Sequence, residues 1–167
     1  SDQIIAILAT LYANAIFVPI LPVLKKSNIA HIVQDSGMRA IITDDKRLKE
    51  VNVFFDQVKI LIGSGDLVAE YLNLPYLSKH LMSAGLPSFD RIGVDVAAII
   101  YSSGSTGRPK GIMCTHRNLT DGARIVAEYL QTTHDDRIAS VLSFNFDYGL
   151  NQIWQCLLTG ASIHLHE

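Results

Sequence analysis

Residues 101–111, YSSGSTGRPKG, concentrate the residue types that can bind polyphosphate. They include three glycines, four Ser/Thr hydroxyls and an Arg/Lys pair. Glycine lets backbone N–H groups approach an anion, hydroxyls donate to its oxygens, and the Lys110 ammonium offsets its charge. The alternative for a Gly/Ser stretch is an ordinary flexible surface loop. The ordered composition and the apolar run at 96–100, which predicts a strand leading into the loop, favour phosphate binding.

Two familiar phosphate loops do not fit this chain. A Walker loop requires G-x-x-x-x-G-K-[ST]. Counting from Gly104, Pro109 stands in place of the second glycine and Gly111 in place of the hydroxyl residue. Residues 58–65, a strand-like run ending in GSG, are similar to the start of a dinucleotide-binding turn. Val68, however, occupies the position where close helix–strand packing requires Gly or Ala, so we interpret this segment as a plain strand-to-loop turn.

The loop resembles the phosphate-binding signature of the adenylate-forming (AMP-dependent synthetase and ligase) superfamily, Tyr-Thr-Ser-Gly-Ser/Thr-Thr-Gly-x-Pro-Lys-Gly. It matches every fixed position except Ser102, where threonine is commoner. IMCTHRNL at 112–119 is similar to the strand, Thr-His and Asn-Leu that follow the loop in that family. Three further segments also resemble family segments: AILATLYANAIFVPI (6–20), HIVQDSGMRAIIT (31–43) and SFNFDYGLNQIWQCLLTGASIHL (143–165).

The resemblance implies an α/β fold in which alternating strands and helices form a mostly parallel sheet, part of the large N-terminal domain of an adenylate-forming enzyme. We expect residues 1–92 to form a first α/β portion and residues 93–167 a second portion that carries the loop. The 167 residues contain no Tyr-Gly-x-Thr-Glu motif, ribose-binding aspartate, hinge or lysine-bearing C-terminal domain. The family's catalytic lysine and magnesium-binding glutamate are therefore expected outside this chain, which is expected to be an inactive piece of a longer parent enzyme.

In that family a substrate carboxylate attacks the α-phosphate of ATP, pyrophosphate leaves, and a thiol captures the acyl-adenylate. Donors around the β- and γ-phosphates stabilise the charge that develops on the leaving group. ATP and Mg²⁺ are the implied cofactors of the parent, with coenzyme A as the expected acceptor. Pro109 is expected to restrict the loop, and Arg108 to be solvated. The expected ATP- and pyrophosphate-binding residues are Ser102, Ser103, Gly104, Ser105, Thr106, Gly107 and Lys110.

A substrate pocket is expected at Asp147, Tyr148 and Gly149. In amino-acid-activating members a Phe-Asp dipeptide here supplies the aspartate that pairs with the substrate ammonium, whereas acyl-CoA ligases often carry a histidine followed by Gly-Leu. This chain combines Phe146-Asp147 with Gly149-Leu150. Asp147 could instead cap a helix that begins near Gly149.

Three functions remain open. The leading one is a fragment of an AMP-forming acyl-CoA ligase. The alternatives are an amino-acid-adenylating domain of a non-ribosomal peptide synthetase, and a non-catalytic nucleotide-binding or interaction module. The family counterpart of His116 is usually structural. His164 and His166 without further ligands do not predict a metal site.

The composition is unusually apolar for a domain of this size. Hydrophobic residues make up 49% of the chain and charged residues 18%, against a typical charged share of about 25%. Exposed apolar faces are therefore expected, covered by the rest of the parent or by a second copy. A net charge of −2 without a basic run argues against nucleic-acid binding.

Residues 4–24 are apolar, but Asn14, Pro19 and Pro22 interrupt them, so neither a signal peptide nor a membrane anchor is predicted. A cytoplasmic location is expected, with Cys114 and Cys156 as buried reduced thiols.

Hydrophobic periodicity alternates between helices and strands, which predicts βαβ units. Asp2, Ser27 and Asp44 or Asp45 are expected helix caps, and Gly37 is expected to end the second helix. A long connection is expected at 63–93.

The predicted helices are 2–14, from Ser27 to Gly37, from Asp44 or Asp45 to Val51, about 119–130, and 150–158. The helix at 119–130 places Leu119, Ala123, Val126 and Leu130 on one face. The predicted strands are 16–20, 40–43, 58–62, 96–100, 137–142 and 161–165.

Overall fold

A computed structural model describes residues 2–44, 47, 58, 60–64, 88–102 and 108–165. From residue 110 onward, strands and helices alternate, as the periodicity predicts. The elements are α1 (Asp2–Tyr12), α2 (Lys26–Ser36), β1 (Ala40–Asp44), β2 (Ile60–Ser64), β3 (Val96–Ser102), β4 (Lys110–Thr115), α3 (His116–Leu130), β5 (Arg137–Ser140), α4 (Asp147–Thr159) and β6 (Ser162–Leu165).

The described strands form three two-stranded sheets, in which β1 pairs with β2, β3 with β4, and β5 with β6. The first and third pairs are parallel, with Ala40 opposite Ile60 and Arg137 opposite Ser162. The α/β class with parallel pairing is therefore confirmed. Within the described residues, the strands lie in separate pairs and not in one sheet.

The chain divides into two compact units that interleave along the sequence. One consists of Ser1–Pro19, Ser88–Ser102 and Ile112–Glu167, and the other of Ile20–Pro87 and Ser103–Gly111. The division of the chain at residue 92 stays a prediction.

In the unit that contains α2, a small core joins this helix to β1. Ile29 and Val33 pack with Ile41 and Val58, all of them buried. Since successive turns of α2 place Ile29 and Val33 on one face, the helix packs against β1 and Val58 through that face.

The ends of α2 confirm one predicted signal and correct another. Gly37 ends the helix in the left-handed conformation with φ 60°, as predicted. The Ser27 cap is wrong, because the helix already begins at Lys26 and Ser27 lies within its first turn. Lys25 holds the capping position with extended backbone and no side-chain hydrogen bond. The Asp44 cap is supported, since Asp44 Oδ1 accepts the Arg47 N–H at 3.0 Å; the remainder of that predicted helix lies outside the described residues.

The core of the other unit joins α1, β3 and α4 through Ile7, Ala98, Leu150 and Ile153, with Phe17 between them. The predicted strand at 16–20 is only a single parallel bridge between Phe17 and Ala98. The Phe17 N–H donates to Ala97 O at 3.1 Å, and the Ile99 N–H donates to Phe17 O at 3.0 Å. Pro19 cannot donate a ladder hydrogen bond, which explains why the pairing stops.

A capping box joins β4 directly to α3. Thr115 Oγ1 accepts the Asn118 N–H at 3.1 Å, and Asn118 Oδ1 accepts the Thr115 N–H at 2.9 Å. These two bonds satisfy backbone donors that the first turn of a helix leaves without partners. The strand therefore passes into the helix without a loop.

The outer faces of this unit expose large apolar side chains, as the composition predicts. Tyr129 is 84% exposed and Met113 is 70% exposed. Whether the rest of a parent enzyme or a second copy covers them stays a prediction. No helix in the described part of the chain is long and apolar enough to cross a membrane.

Candidate functional site

The strands that flank the phosphate loop hold two of its predicted ligands. Ser102 is the last residue of β3 and Lys110 the first of β4; β3 and β4 pair, and both side chains are exposed. Ala97 and Ala98 within β3 have no exposed surface, so the predicted buried lead-in strand is confirmed. Five predicted phosphate ligands lie outside the described residues: Ser103, Gly104, Ser105, Thr106 and Gly107.

The end of the loop is attached to α2. Pro109 is buried, and its carbonyl oxygen lies 3.0 Å from Nε2 of the half-buried His31. Arg108 is exposed, in keeping with its expected solvation. No sequence motif marks His31, because its partner is 78 residues away.

Asp147 lies at the start of α4 and is exposed. Its Oδ1 accepts the Tyr148 N–H at 2.8 Å, and its negative charge in the first turn complements the helix dipole. The alternative in which Asp147 caps a helix beginning near Gly149 is wrong. The helix begins at Asp147, and Phe146 holds the capping position without a side-chain hydrogen bond. Tyr148 is 74% exposed, so both side chains are accessible to a ligand.

Gly149 is required by close packing of backbone on backbone. A Cβ at this position would lie 2.2 Å from Ser143 O and 2.7 Å from the Ser143 carbonyl carbon. The next residue, Leu150, is 1% exposed and belongs to the core. Packing therefore accounts for the Gly-Leu pair, and a role for Gly149 in a substrate pocket stays a prediction.

Asn145 holds the turn that precedes α4. It is 8% exposed; its Oδ1 accepts from Gln3 Nε2 at 3.1 Å, and its Nδ2 donates to Ser143 Oγ at 2.8 Å. These bonds connect the first turn of α1 to the backbone that packs on Gly149. No local pattern announces the pair, because 142 residues separate Gln3 from Asn145.

Both cysteines are free thiols. Cys156 is buried, as predicted, and burial raises its pKa. Cys114 on β4 is only half-buried, which corrects the expectation of full burial. Burial, and secondly the negative charge of Asp147, raise the pKa of Cys114. A negative charge near a cysteine disfavours its thiolate form.

His116 begins α3 and packs against an aromatic ring. Its ring centroid lies 5.5 Å from that of Phe89, edge to face at 90°. Together with Leu8, Leu11 and Tyr12, the two rings line a pocket of about 390 Å³. These contacts fit the structural role expected of His116.

The described residues contain no group of three His, Cys, Asp or Glu side chains that could hold a metal ion. His164 is exposed on β6, and His166 lies outside the described residues.

The model of the AMP-binding enzyme family matches residues 1–167. This chain belongs to that family. The family resemblance is thereby confirmed, and the two strands that flank the loop, β3 and β4, pair with each other.

Curated relatives resemble this chain along almost its whole length. Tyrocidine synthase 2 of Brevibacillus parabrevis is 30% identical over 99% of the chain, and bacitracin synthase 1 of Bacillus licheniformis is 33% identical over 99%. Gramicidin S synthase 1 of Brevibacillus brevis is 32% identical over 98%. The chain spans only 4%, 3% and 14% of these three proteins, respectively.

Solved structures share the fold. The long-chain-fatty-acid-CoA ligase FadD1 of Archaeoglobus fulgidus has a TM-score of 0.83 at 24% identity, covering 98% of this chain and 32% of that one. MbtA of Mycobacterium smegmatis has a TM-score of 0.85 at 20% identity, covering 99% and 32%. The N-terminal domain of FACL13 from Mycobacterium tuberculosis has a TM-score of 0.80 at 23% identity, covering 96% and 40%. The fold is that of the N-terminal domain of adenylate-forming enzymes.

Proposed function

We propose that the parent enzyme of this chain activates a carboxylic acid with ATP, releases pyrophosphate, and passes the acyl group from the adenylate to a thiol. The observation that carries the proposal is that the two strands flanking the signature loop, β3 and β4, pair, with Ser102 exposed at the end of one and Lys110 at the start of the other. The family match over residues 1–167 supports it.

The proposed role of the loop follows from where negative charge develops. A carboxylate oxygen bonds to the α-phosphorus of ATP, the bond to the bridging oxygen breaks, and pyrophosphate leaves with the electron pair. The ammonium of Lys110 and the hydroxyl of Ser102 are groups that can stabilise this leaving charge. Bound ATP supplies the phosphoanhydride, and Mg²⁺ would neutralise part of its charge through ligands expected elsewhere in the parent.

The acyl-CoA ligase is the form we put first, with coenzyme A as acceptor. Asp147 is exposed and already accepts the Tyr148 N–H. A carboxylate that pairs with a substrate ammonium is most effective when it is shielded from water, since solvent screens an exposed pair. The exposure of Asp147 in this chain therefore supports an acyl acid as substrate.

An amino acid is the second candidate, also because of Asp147. The Asp147 carboxylate is the second cause of the raised pKa of Cys114 on β4, which supports a negative charge near that strand that a substrate cation could meet. In this form the acceptor thiol would belong to a carrier protein.

ATP–pyrophosphate exchange on the full-length parent separates these forms. Panels of amino acids and of fatty and aryl acids are tested on the wild type, on Asp147→Asn, and on Asp135→Asn as an exposed carboxylate control. Exchange driven by acyl acids and retained in Asp147→Asn supports the ligase. Exchange driven by amino acids and reduced roughly 10- to 100-fold by Asp147→Asn, the loss expected for a charged hydrogen bond, supports the second candidate. Nucleotide binding without exchange for any acid contradicts both and favours a non-catalytic module.

A further inference from the structure

We propose that His31 is a positioning residue for the phosphate loop. It holds the Pro109–Lys110 peptide so that Lys110 is directed toward the phosphates of ATP. This inference rests on the proposed function. His31 Nε2 lies 3.0 Å from Pro109 O. Both residues belong to the same compact unit. His31 itself does not need to touch the nucleotide for this role.

The chemistry of the contact fixes the proton on the histidine. A proline carbonyl can only accept a hydrogen bond, so Nε2 of His31 must be the donor. A neutral His31 is therefore the tautomer with hydrogen on Nε2, and a protonated ring donates from the same atom. The contact persists in both charge states.

The helix beneath His31 is well anchored. Ile32, the next residue, has no exposed surface, while Ile29 and Val33 are buried in the core with β1. A side chain on such a helix has a fixed origin, which is the condition for positioning another group. His31 thus transfers the rigidity of α2 to the end of the loop.

The hydrogen bond from His31 to Pro109 O constrains Lys110 through the single peptide group that joins Pro109 to Lys110. The proline ring fixes φ of Pro109, and the described residues include no cis peptide bond. In a planar trans peptide the N–H points away from the carbonyl oxygen. Holding Pro109 O against His31 therefore directs the Lys110 N–H to the opposite side and sets the Cα from which the exposed Lys110 side chain extends.

The test uses His31→Ala and His31→Gln in the full-length parent, with Gln34→Ala as an exposed control on the same helix. The KM values for ATP and for the carboxylate are measured by pyrophosphate exchange, and the Kd for ATP by equilibrium binding. We expect His31→Ala to raise the KM and Kd for ATP roughly 3- to 10-fold, the factor that corresponds to one ordinary hydrogen bond. The KM for the acid should stay constant. Glutamine carries an amide N–H that can reach the same carbonyl, so His31→Gln should recover most of the affinity.

Three results would overturn the inference. The first is an unchanged Kd for ATP in His31→Ala. The second is an equal loss in both KM values together with a lower Tm that His31→Gln does not restore, which would assign His31 to packing. The third is a wild-type parent that does not bind ATP. If the wild type binds ATP but exchanges pyrophosphate with no acid, the proposed function fails alone, and the Kd values of the two His31 variants still decide the inference.

Discussion

The ends of the phosphate loop and the turn before α4 present their candidate residues in opposite ways. At the loop, Ser102 and Lys110 are exposed, and the buried residues near them lie in β3 and at Pro109. At the turn, Asp147 and Tyr148 are exposed, while Asn145 and Gly149 beside them are buried. The first region can therefore change its chemistry without loss of stability, whereas in the second region the site and the core share the same few residues.

Replacing Lys110 tests the first half of this comparison and should have the largest effect. In the parent, Lys110→Ala is expected to reduce the exchange rate by about 100-fold, the usual cost of removing one preorganised group that stabilises developing charge. Because the side chain is exposed, the Tm should stay constant.

Arg108→Ala, two positions away on the same loop and also exposed, serves as the control, with an expected change within about twofold. Unfolding of Lys110→Ala would show that the loop is structural and would remove the contrast between the two regions.

Replacing Gly149 tests the second half. The Cβ of Gly149→Ala would meet the backbone of Ser143 at 2.2 Å, and backbone cannot rotate away as a side chain can. We expect the free energy of unfolding, measured by urea denaturation of the parent, to fall by about 1–3 kcal/mol, as for overpacking. The displaced turn should lower exchange activity as well.

Gly122→Ala on α3 is the matched control. Among the described residues, its Cβ would meet Asn151 Nδ2 alone, a side-chain atom at 3.4 Å, so the helix should gain up to about 1 kcal/mol from the better helix former. Equal tolerance of alanine at both glycines would contradict a turn fixed by packing.

The same contrast explains what could be predicted from the sequence. The loop is recognisable because its ligands are nearly consecutive and follow an apolar strand, so the motif and its position in the fold appear together. The α/β alternation and the Gly37 helix end could also be predicted from the sequence, since both depend on local periodicity and backbone conformation.

The contacts that support the two regions could not be predicted from the sequence, because each joins residues that are distant in sequence. His31 meets Pro109 across 78 positions, and Gln3 meets Asn145 across 142. The boundary errors have local causes. Lys26 starts α2 before the expected Ser27 cap, and α4 begins at Asp147, three residues before the predicted start at Leu150. A capping residue type suits several neighbouring positions, and packing against the core selects among them.

The smallest expected effect is on the pKa of Cys114, and it tests whether the charge of Asp147 reaches β4. A negative carboxylate disfavours a nearby thiolate, so Asp147→Asn should lower the pKa of Cys114, but only part of the way, because burial is the larger cause of its elevation. At a fixed pH below that pKa the thiolate fraction increases, and alkylation of Cys114 by iodoacetamide becomes faster. Cys156, whose pKa burial alone raises, is an internal control that should not change. Faster alkylation of both thiols would indicate general loosening, and faster alkylation of neither would place Asp147 away from β4.

A bound substrate ammonium would neutralise the same carboxylate. An amino-acid substrate should therefore accelerate Cys114 alkylation in the wild type and not in Asp147→Asn, whereas an acyl acid should do so in neither.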